Sequence, residues 1–296
     1  MKLKFILVVG LQKSGTFLLR QLLAESGLAE HPFAEGEAQD FWGNVPPFTP
    51  RGFPAGRIYQ RSGGEMGHEI GEQDATEEIK NCLQERLGNL QIKSSVIINK
   101  NPYNVVRIPW LRKLFPDSII VGIVRKPVPN VFSLLKRFIH PQGYRYEPEE
   151  GWWGVKPRNW QQLIDNNKVI QCARQWKAIN GKLLQDRDLL NLIVGYDQVC
   201  SSPLGTVEKI LSLIEGTDVK VSVDYPVLQC FDDEYQRGAR LLSKKRSPDG
   251  SAVLDSSWLK EEKIEIQALS ETDIALIEEI CAPISCLLYT SPSPRD

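Results

Sequence analysis

The sequence lacks most of the features that assign a chain quickly. Its 296 residues hold only three histidines and six cysteines, and Cys82, Cys172, Cys200, Cys230, Cys281 and Cys286 never fall at C-x-x-C spacing. That scatter argues against a zinc site and against a disulfide framework, so a reducing cytoplasm is the expected compartment. The net charge is -1, which gives no global basic excess for nucleic acid; any anion site has to be local. The apolar run FILVVGL, from Phe5 to Leu11, is too short to span a bilayer and runs into a glycine loop with no small-residue cleavage site, so no membrane partner is expected. Internal repeats, low-complexity blocks and interdomain linkers are missing as well. With 25% charged and 42% hydrophobic residues, what remains is an ordinary globular composition, long enough to bury a substantial core.

What is present is an alternation of strands and helices. Lys4 to Gly10 is a continuous apolar run bounded by glycine, as in a strand buried on both faces of a parallel sheet. From Ser14 onward, Leu18, Leu19, Leu22 and Leu23 share one helical face, with Gly27 as the C-cap. Residues 31–74 are rich in Gly and Pro and show no period, which predicts long functional loops. A helix ending near Gly88 and a strand over SSVIINK follow, then a helix over RIPWLRKLFPD closed by Pro116. SIIVGIVRKP predicts a third strand ending at Arg125, and Pro127 opens a helix that buries Val128, Val131, Phe132 and Leu135. After an irregular stretch, HPQGYRYEPEEGWWGVKPRNW, come a long helix over VIQCARQWKAINGKLLQ, a strand over LLNLIVGY and a helix from Pro203. A last helix runs to Ser285, with Ser270 and Asp273 as a capping box. The pattern implies right-handed parallel crossovers in one three-layer α/β domain over 1–285 with a central parallel sheet. The final eleven residues, CLLYTSPSPRD, break the pattern of that helix and match, codon for codon, one reading frame of a transposon-type sequencing adapter. Residues 286–296 are therefore expected to be non-native, from a gene assembled out of sequencing reads, as in a metagenome.

The first strand and helix meet in VVGLQKSGTFLLRQLL, a loop with Gly10 and Gly15 at Walker A spacing but with its lysine displaced. Thr16, not lysine, follows Gly15, and Lys13 lies inside the loop. Backbone N–H groups of Gly15 and Thr16 at a helix N-terminus can hold a phosphate without side-chain charge. Lys13 then places a positive charge at a leaving or bridging oxygen, where negative charge grows during group transfer. An ATPase would need an acid after another strand to hold Mg²⁺; here the third strand ends in Arg125 and Lys126. Arg125 suits bidentate binding of a second phosphate, and Ser133, about two helical turns on, can add a hydrogen bond. Taken singly, such a loop arises by chance and such an arginine is an ordinary surface ion pair; their order along the chain is the signal.

Three segments together resemble the sulfotransferase superfamily, in its bacterial type, whose enzymes use 3′-phosphoadenosine 5′-phosphosulfate (PAPS). GLQKSGTFLL is similar to the family's 5′-phosphosulfate loop, FPDSIIVGIVRKPVPNVFSLLKR to its 3′-phosphate segment, and VGYDQVCSSPLGTVEKILSLI to the strand-Tyr-acid stretch that follows. The resemblance implies the P-loop nucleoside-triphosphate-hydrolase-like sulfotransferase fold, PAPS as cosubstrate and no metal. It implies cofactor contacts from Lys13, Ser14, Gly15, Thr16, Phe17, Arg125, Ser133 and Tyr196. A hydroxyl or amine acceptor, small molecule or glycan, is expected; oligomeric state is left open. The rivals are a P-loop kinase or NTPase and a non-catalytic nucleotide or glycan binder.

The family's base is a histidine or a glutamate. Glu37, four residues before Phe41 in FAEGEAQDFWGN, fits the glutamate type, with Glu35 as the near alternative; burial beside Phe41 and Trp42 would raise its pKa toward a general base's. His68, in the glycine-flanked GEMGHEIG, is the rival base or a substrate contact. The family's K-x-H is broken in NKNPYN, which favours Glu37, while Lys100 matches a lysine that assists the sulfuryl group. Trp152, Trp153 and Trp160 offer faces for a sugar or flat acceptor against the alternative of core packing. Arg240, Lys244, Lys245 and Arg246 fall where the family places a loop over the 3′ phosphate, although its R-K-G is absent and a solvated basic face is the competing reading.

Overall fold

The computed structural model describes residues 3–33, 36–42, 67–139, 151–222, 244–246, 252–254 and 269–290. Strands β1 (Lys4–Val9), β2 (Val96–Lys100), β3 (Ile119–Val124) and β4 (Leu192–Gly195) form one parallel sheet in the order β2-β1-β3-β4. Lys4 pairs with Val96, Ile6 with Ile119 and Val121 with Leu192. The period of two along each strand sends successive side chains to opposite faces. Phe5, Leu7, Val9, Ile97, Ile120 and Val124 enter one core, and Ile6, Val8, Val96, Ile98, Val121 and Ile123 enter the other. Both faces are buried, which is why the strands read as unbroken apolar runs.

Helices cover both faces. α1 (Thr16–Glu25) packs Leu18, Leu19, Leu22 and Leu23 on the second core, and its end is turned by Gly27 at φ 72°. α2 (Gln39–Trp42) and α3 (Glu77–Gly88) lie on the first core, α3 capped by Thr76, whose side chain accepts from the Ile79 N–H. α4 (Ile108–Leu114), α5 (Pro127–Ile139) and α6 (Lys168–Gln185) bury Trp110, Val131 and Trp176 there. α7 (Tyr196–Ser201) and α8 (Pro203–Glu215) return to the second core through Val199 and Ile210. The result is the three-layer α/β architecture with a central parallel sheet. Each fully buried Val, Leu or Ile contributes about 1.5–3 kcal/mol.

Several details differ from the sequence expectation. The glycine- and proline-rich stretch contains the short helix α2, anchored by Trp42, whose indole N–H donates to Asn99 Oδ1 at 3.1 Å. β4 begins at Leu192 because Arg187–Leu189 form a 3-10 turn, and the chain turns helical at Tyr196, so that tyrosine opens α7 instead of ending the strand. α9 (Glu271–Thr290) has the expected capping box, with Ser270 Oγ 2.8 Å from Asp273 Oδ2 and the Asp273 N–H donating back at 3.1 Å. The helix runs past Ser285, and Leu288 still packs against the first core. β5 (Lys244–Arg246) and β6 (Ala252–Leu254) pair antiparallel in a separate two-stranded sheet. No helix among the described residues is long and apolar enough to cross a membrane.

Candidate active site

Because β1 lies between β2 and β3, the carboxyl ends of the strands converge on one crevice, where ligands of open α/β sheets bind. Each of the four strands delivers a side chain or loop there. After β1 the backbone turns tightly: a Cβ on Gly10 would stand 2.5 Å from the Ile123 carbonyl oxygen. Lys13 takes a left-handed φ of 68°. Gly15, at φ 101°, has no room for a side chain, since a Cβ would come within 2.5 Å of Tyr196 Cδ2. α1 then starts at Thr16, so the unpaired N–H groups of its first turn and the positive end of its dipole face the crevice. Two side chains clamp this loop from outside: Asn130 Nδ2 donates to the Gln12 carbonyl at 3.0 Å and Arg125 Nη1 to the Lys13 carbonyl at 3.2 Å.

β2 ends in Lys100, a buried ammonium that donates to Glu37 Oε1 at 2.7 Å. The neighbouring Asn101 amide donates to the Glu37 carbonyl at 3.0 Å, so one strand end fixes both the side chain and the backbone of Glu37. Glu37 is held in an ion pair at the cavity wall with 36% of its side chain exposed. It is not enclosed by Phe41 and Trp42, which turn into the core. The apolar enclosure expected of Glu37 from the sequence is corrected accordingly.

β3 leads to Arg125, which is 5% exposed. Its Nη1 also donates to Ser133 Oγ at 3.2 Å, its guanidinium carbon lies 4.5 Å from the centre of the Tyr196 ring, and its carbonyl accepts from the Trp176 indole at 3.0 Å. Tyr196, from the end of β4, is thus wedged between Gly15 and Arg125. Further along α5, Lys136 and Arg137 reach the same space, and the Arg137 guanidinium lies 4.8 Å from the Trp153 ring centre.

Among the described residues, these groups line a cavity of about 470 Å³ with five cations, Lys13, Lys100, Arg125, Lys136 and Arg137, and one carboxylate, Glu37. The crowding shows in Lys13. Burial first, and then the charges of Arg137, Lys136 and Lys100, push its ammonium down to about 7, with Glu37 partly opposing. The described lining of the cavity is therefore strongly electropositive. Among the described residues no cluster of His, Cys, Asp or Glu has the makings of a metal site.

Of the residues singled out in the sequence, Lys13, Gly15, Thr16, Phe17, Glu37, Lys100, Arg125, Ser133 and Tyr196 line the cavity. Ser14 is fully buried behind the loop, outside that lining. His68 is not in the cavity either, which corrects its reading as base or substrate contact. It is buried beside Tyr103, its Nδ1 accepts from the Lys156 backbone N–H at 2.8 Å and its backbone N–H donates to the Lys156 carbonyl at 2.7 Å. Burial, with Arg107 and Lys156 nearby, holds its pKa well below the usual histidine range. Trp152 and Trp160 pack against each other at 5.8 Å in the interior, so only Trp153 of the three tryptophans meets the cavity. Lys244, Lys245 and Arg246 form β5, while their side chains, Glu35 and Arg240 lie outside the described residues.

Sequence reasoning missed Gln12, Tyr103, Lys136 and Arg137. The last two carried a signal, since they follow Ser133 by three and four residues on a helix and so share its face. Tyr103 carried none; burial foremost, with the Glu37 charge next, raises its pKa.

The chain is similar in structure to a sulfotransferase from Alicyclobacillus acidocaldarius, at 14% identity over 76% of this chain and 87% of that one, with a TM-score of 0.44. It is also similar to the sulfotransferase domain from the curacin biosynthetic pathway (16% identity, 94% of this chain and 98% of that one, TM-score 0.44). A third is the sulfotransferase domain of a Synechococcus olefin synthase (15% identity, 94% and 95%, TM-score 0.42). No curated protein sequence matches. The sequence pattern of the Sulfotransferase family matches residues 6–217, which include the loop after β1, Lys100, Arg125, Ser133 and Tyr196. On that match, which spans well over half of the chain, the protein belongs to the sulfotransferase family.

Proposed function

We propose that this sulfotransferase is cytoplasmic and takes its sulfuryl group from PAPS, passing it to a hydroxyl or amine of a small molecule or glycan. The observation that carries the reading is the hydrogen bond between Arg125 and Ser133, on the opposite side of the loop from Glu37 and in the same cavity as Lys13. That pairing provides a second anion grip, separate from the N-terminus of α1. A donor with a 3′ phosphate needs two such grips; ATP, with its phosphates in one chain, does not.

PAPS supplies the sulfuryl group, whose bond to the 5′-phosphate oxygen breaks as the bond from sulfur to the acceptor forms. The amides of Gly15 and Thr16 bind the 5′ phosphate at the positive end of α1. The Lys13 ammonium meets the electron pair left on the departing phosphate oxygen, where preformed charge acts most strongly on a transition state. Arg125 and Ser133 bind the 3′ phosphate, with Tyr196 holding the guanidinium plane. Glu37 accepts the acceptor's proton, and Lys100 fixes that carboxylate while adding positive charge on the same side.

Calorimetric titration of the protein with adenosine 3′,5′-bisphosphate and with adenosine 5′-monophosphate tests the reading, together with transfer from radiolabelled PAPS to an acceptor panel. The bisphosphate is expected to bind at least about tenfold tighter, a preference that Ser133→Ala reduces. Equal binding of the two nucleotides, or a requirement for Mg²⁺ and ATP, would overturn it.

A further inference from the structure

Gln12 lines the cavity next to Lys13 and is 7% exposed. Its backbone carbonyl accepts from Asn130 Nδ2 at 3.0 Å, and its side-chain Oε1 accepts from the Val155 N–H at 3.2 Å, 143 residues away. A backbone N–H can only donate, so the Val155 contact fixes which branch of the carboxamide is oxygen. The other branch, Nε2, is buried without a hydrogen-bond partner. Leaving a buried donor unpaired is costly, and among the described neutral side chains that line the cavity only Gln12 has such an atom. The carboxamide is also hemmed in. Gly154, at φ 92°, closes over it so tightly that a Cβ there would stand 3.0 Å from Gln12 Cδ and Oε1. On either side of that glycine the chain is pinned, since the Trp153 carbonyl accepts from Gln175 Nε2 at 2.9 Å and the Val155 carbonyl from the Trp152 indole at 3.0 Å.

Two neighbours locate this donor along the path of the transferred group. Gln12 directly precedes Lys13, on the side of the departing phosphate oxygen. The Tyr103 hydroxyl adjoins the Gln12 carboxamide without meeting the geometry of a hydrogen bond. Tyr103 belongs to the acceptor side: Asn101 Oδ1 accepts from the Tyr103 N–H at 2.9 Å while Asn101 Nδ2 donates to the Glu37 carbonyl at 3.0 Å. Gln12 and Tyr103 thus bridge the stretch of wall between Lys13 and Glu37, which a group moving from one side to the other must cross.

Resting on the PAPS-dependent reading, we propose that Gln12 Nε2 and the Tyr103 hydroxyl donate to oxygens of the sulfuryl group as it passes from the phosphate to the acceptor. The bond from sulfur to the 5′-phosphate oxygen breaks with its electron pair left on that oxygen. The acceptor atom bonds to sulfur and its proton goes to Glu37; Gln12 and Tyr103 keep their own protons throughout. Neutral donors fixed in advance stabilise charge on the sulfuryl oxygens without reordering at the moment of transfer. Adenosine 3′,5′-bisphosphate has no sulfuryl group, so these two contacts act on PAPS and leave the bisphosphate untouched.

The test compares the full chain with Gln12→Met, which keeps the length of the side chain, and with Tyr103→Phe, which keeps the ring against His68. Calorimetry gives the affinities for PAPS and for adenosine 3′,5′-bisphosphate, and single-turnover release of radiolabelled sulfate from PAPS, with water as acceptor, gives the rate. Each variant is expected to slow release by on the order of 10²-fold and to weaken PAPS, while bisphosphate affinity changes less than about twofold. Variants that keep both PAPS affinity and release within about twofold overturn the proposal and leave the PAPS reading standing. So does an equal loss for PAPS and bisphosphate, which would make the two residues supports of the loop. Failure of the wild-type chain to bind the bisphosphate at all is a different result, and sinks the PAPS reading first.

Discussion

The Lys100 ammonium lies 2.7 Å from the Glu37 carboxylate, across 63 residues of sequence, with the lysine buried and the glutamate 36% exposed. The pair turns a loop acid into a group of fixed position on the cavity wall. Glu37→Gln keeps the shape and the hydrogen-bond acceptor but removes the carboxylate proposed as the base. Turnover is expected to fall by about 10²–10⁴-fold with bisphosphate affinity little changed. Steady-state kinetics beside calorimetry check this, and retention of turnover within a few-fold would remove Glu37 from the base role.

Lys13 makes stability depend on pH. Its folded pKa of about 7 lies below the ordinary value of 10.5, so between those values the unfolded chain binds more protons than the native one. Stability therefore rises with pH through that window, and below pH 7 the full penalty of the buried charge applies. Lys13→Met is expected to raise the melting temperature of the unliganded protein by on the order of 5 °C at pH 6.5, and by little at pH 10. The same substitution should abolish transfer. Thermal scans across pH would refute the account if the gain were the same throughout.

His68 acts with the same sign over a lower pH range. It is held neutral in the fold and takes up a proton in the unfolded chain below about pH 6.5, so the protein loses stability as pH falls below that point. His68→Asn, whose side-chain oxygen can still accept from the Lys156 N–H, should flatten this acid limb without altering bisphosphate affinity. Loss of bisphosphate binding in that variant would return His68 to the active site.

Gly15 has both a positive φ and a ring against its Cα. Gly15→Ala must either shift Tyr196, which stacks on Arg125, or open the loop. A cost of about 2–4 kcal/mol in stability is expected from backbone strain plus overpacking, with weaker bisphosphate binding. Chemical denaturation measures the first and calorimetry the second. A variant as stable as the parent would show that the ring yields freely.

Much of this protein is legible locally. The apolar runs, helical stripes, Pro127, Gly27 and the Ser270–Asp273 box each depend on a few neighbouring residues, and so the strands, the helices and the three-layer order follow from sequence alone. So does the unusual loop, because Gly10, Lys13 and Gly15 sit within six residues. His68 and the tryptophans were ambiguous for the opposite reason: a glycine-flanked histidine or an indole reads the same whether it faces a cavity or a core. Only packing against Lys156 and Tyr103 decides the first, and only the 5.8 Å contact of Trp152 with Trp160 decides the second.

The sequence by itself determined that a glycine loop carrying a displaced lysine follows the first strand of a parallel α/β sheet and that an arginine and a serine follow at a later strand end. Tertiary structure alone decided that Arg125 reaches back 112 residues to the Lys13 carbonyl, that Lys100 meets Glu37, and that Lys136 and Arg137 join the same wall. Those contacts arise from strand order: placing β1 between β2 and β3 brings three distant strand ends together, and no local period encodes that neighbourhood.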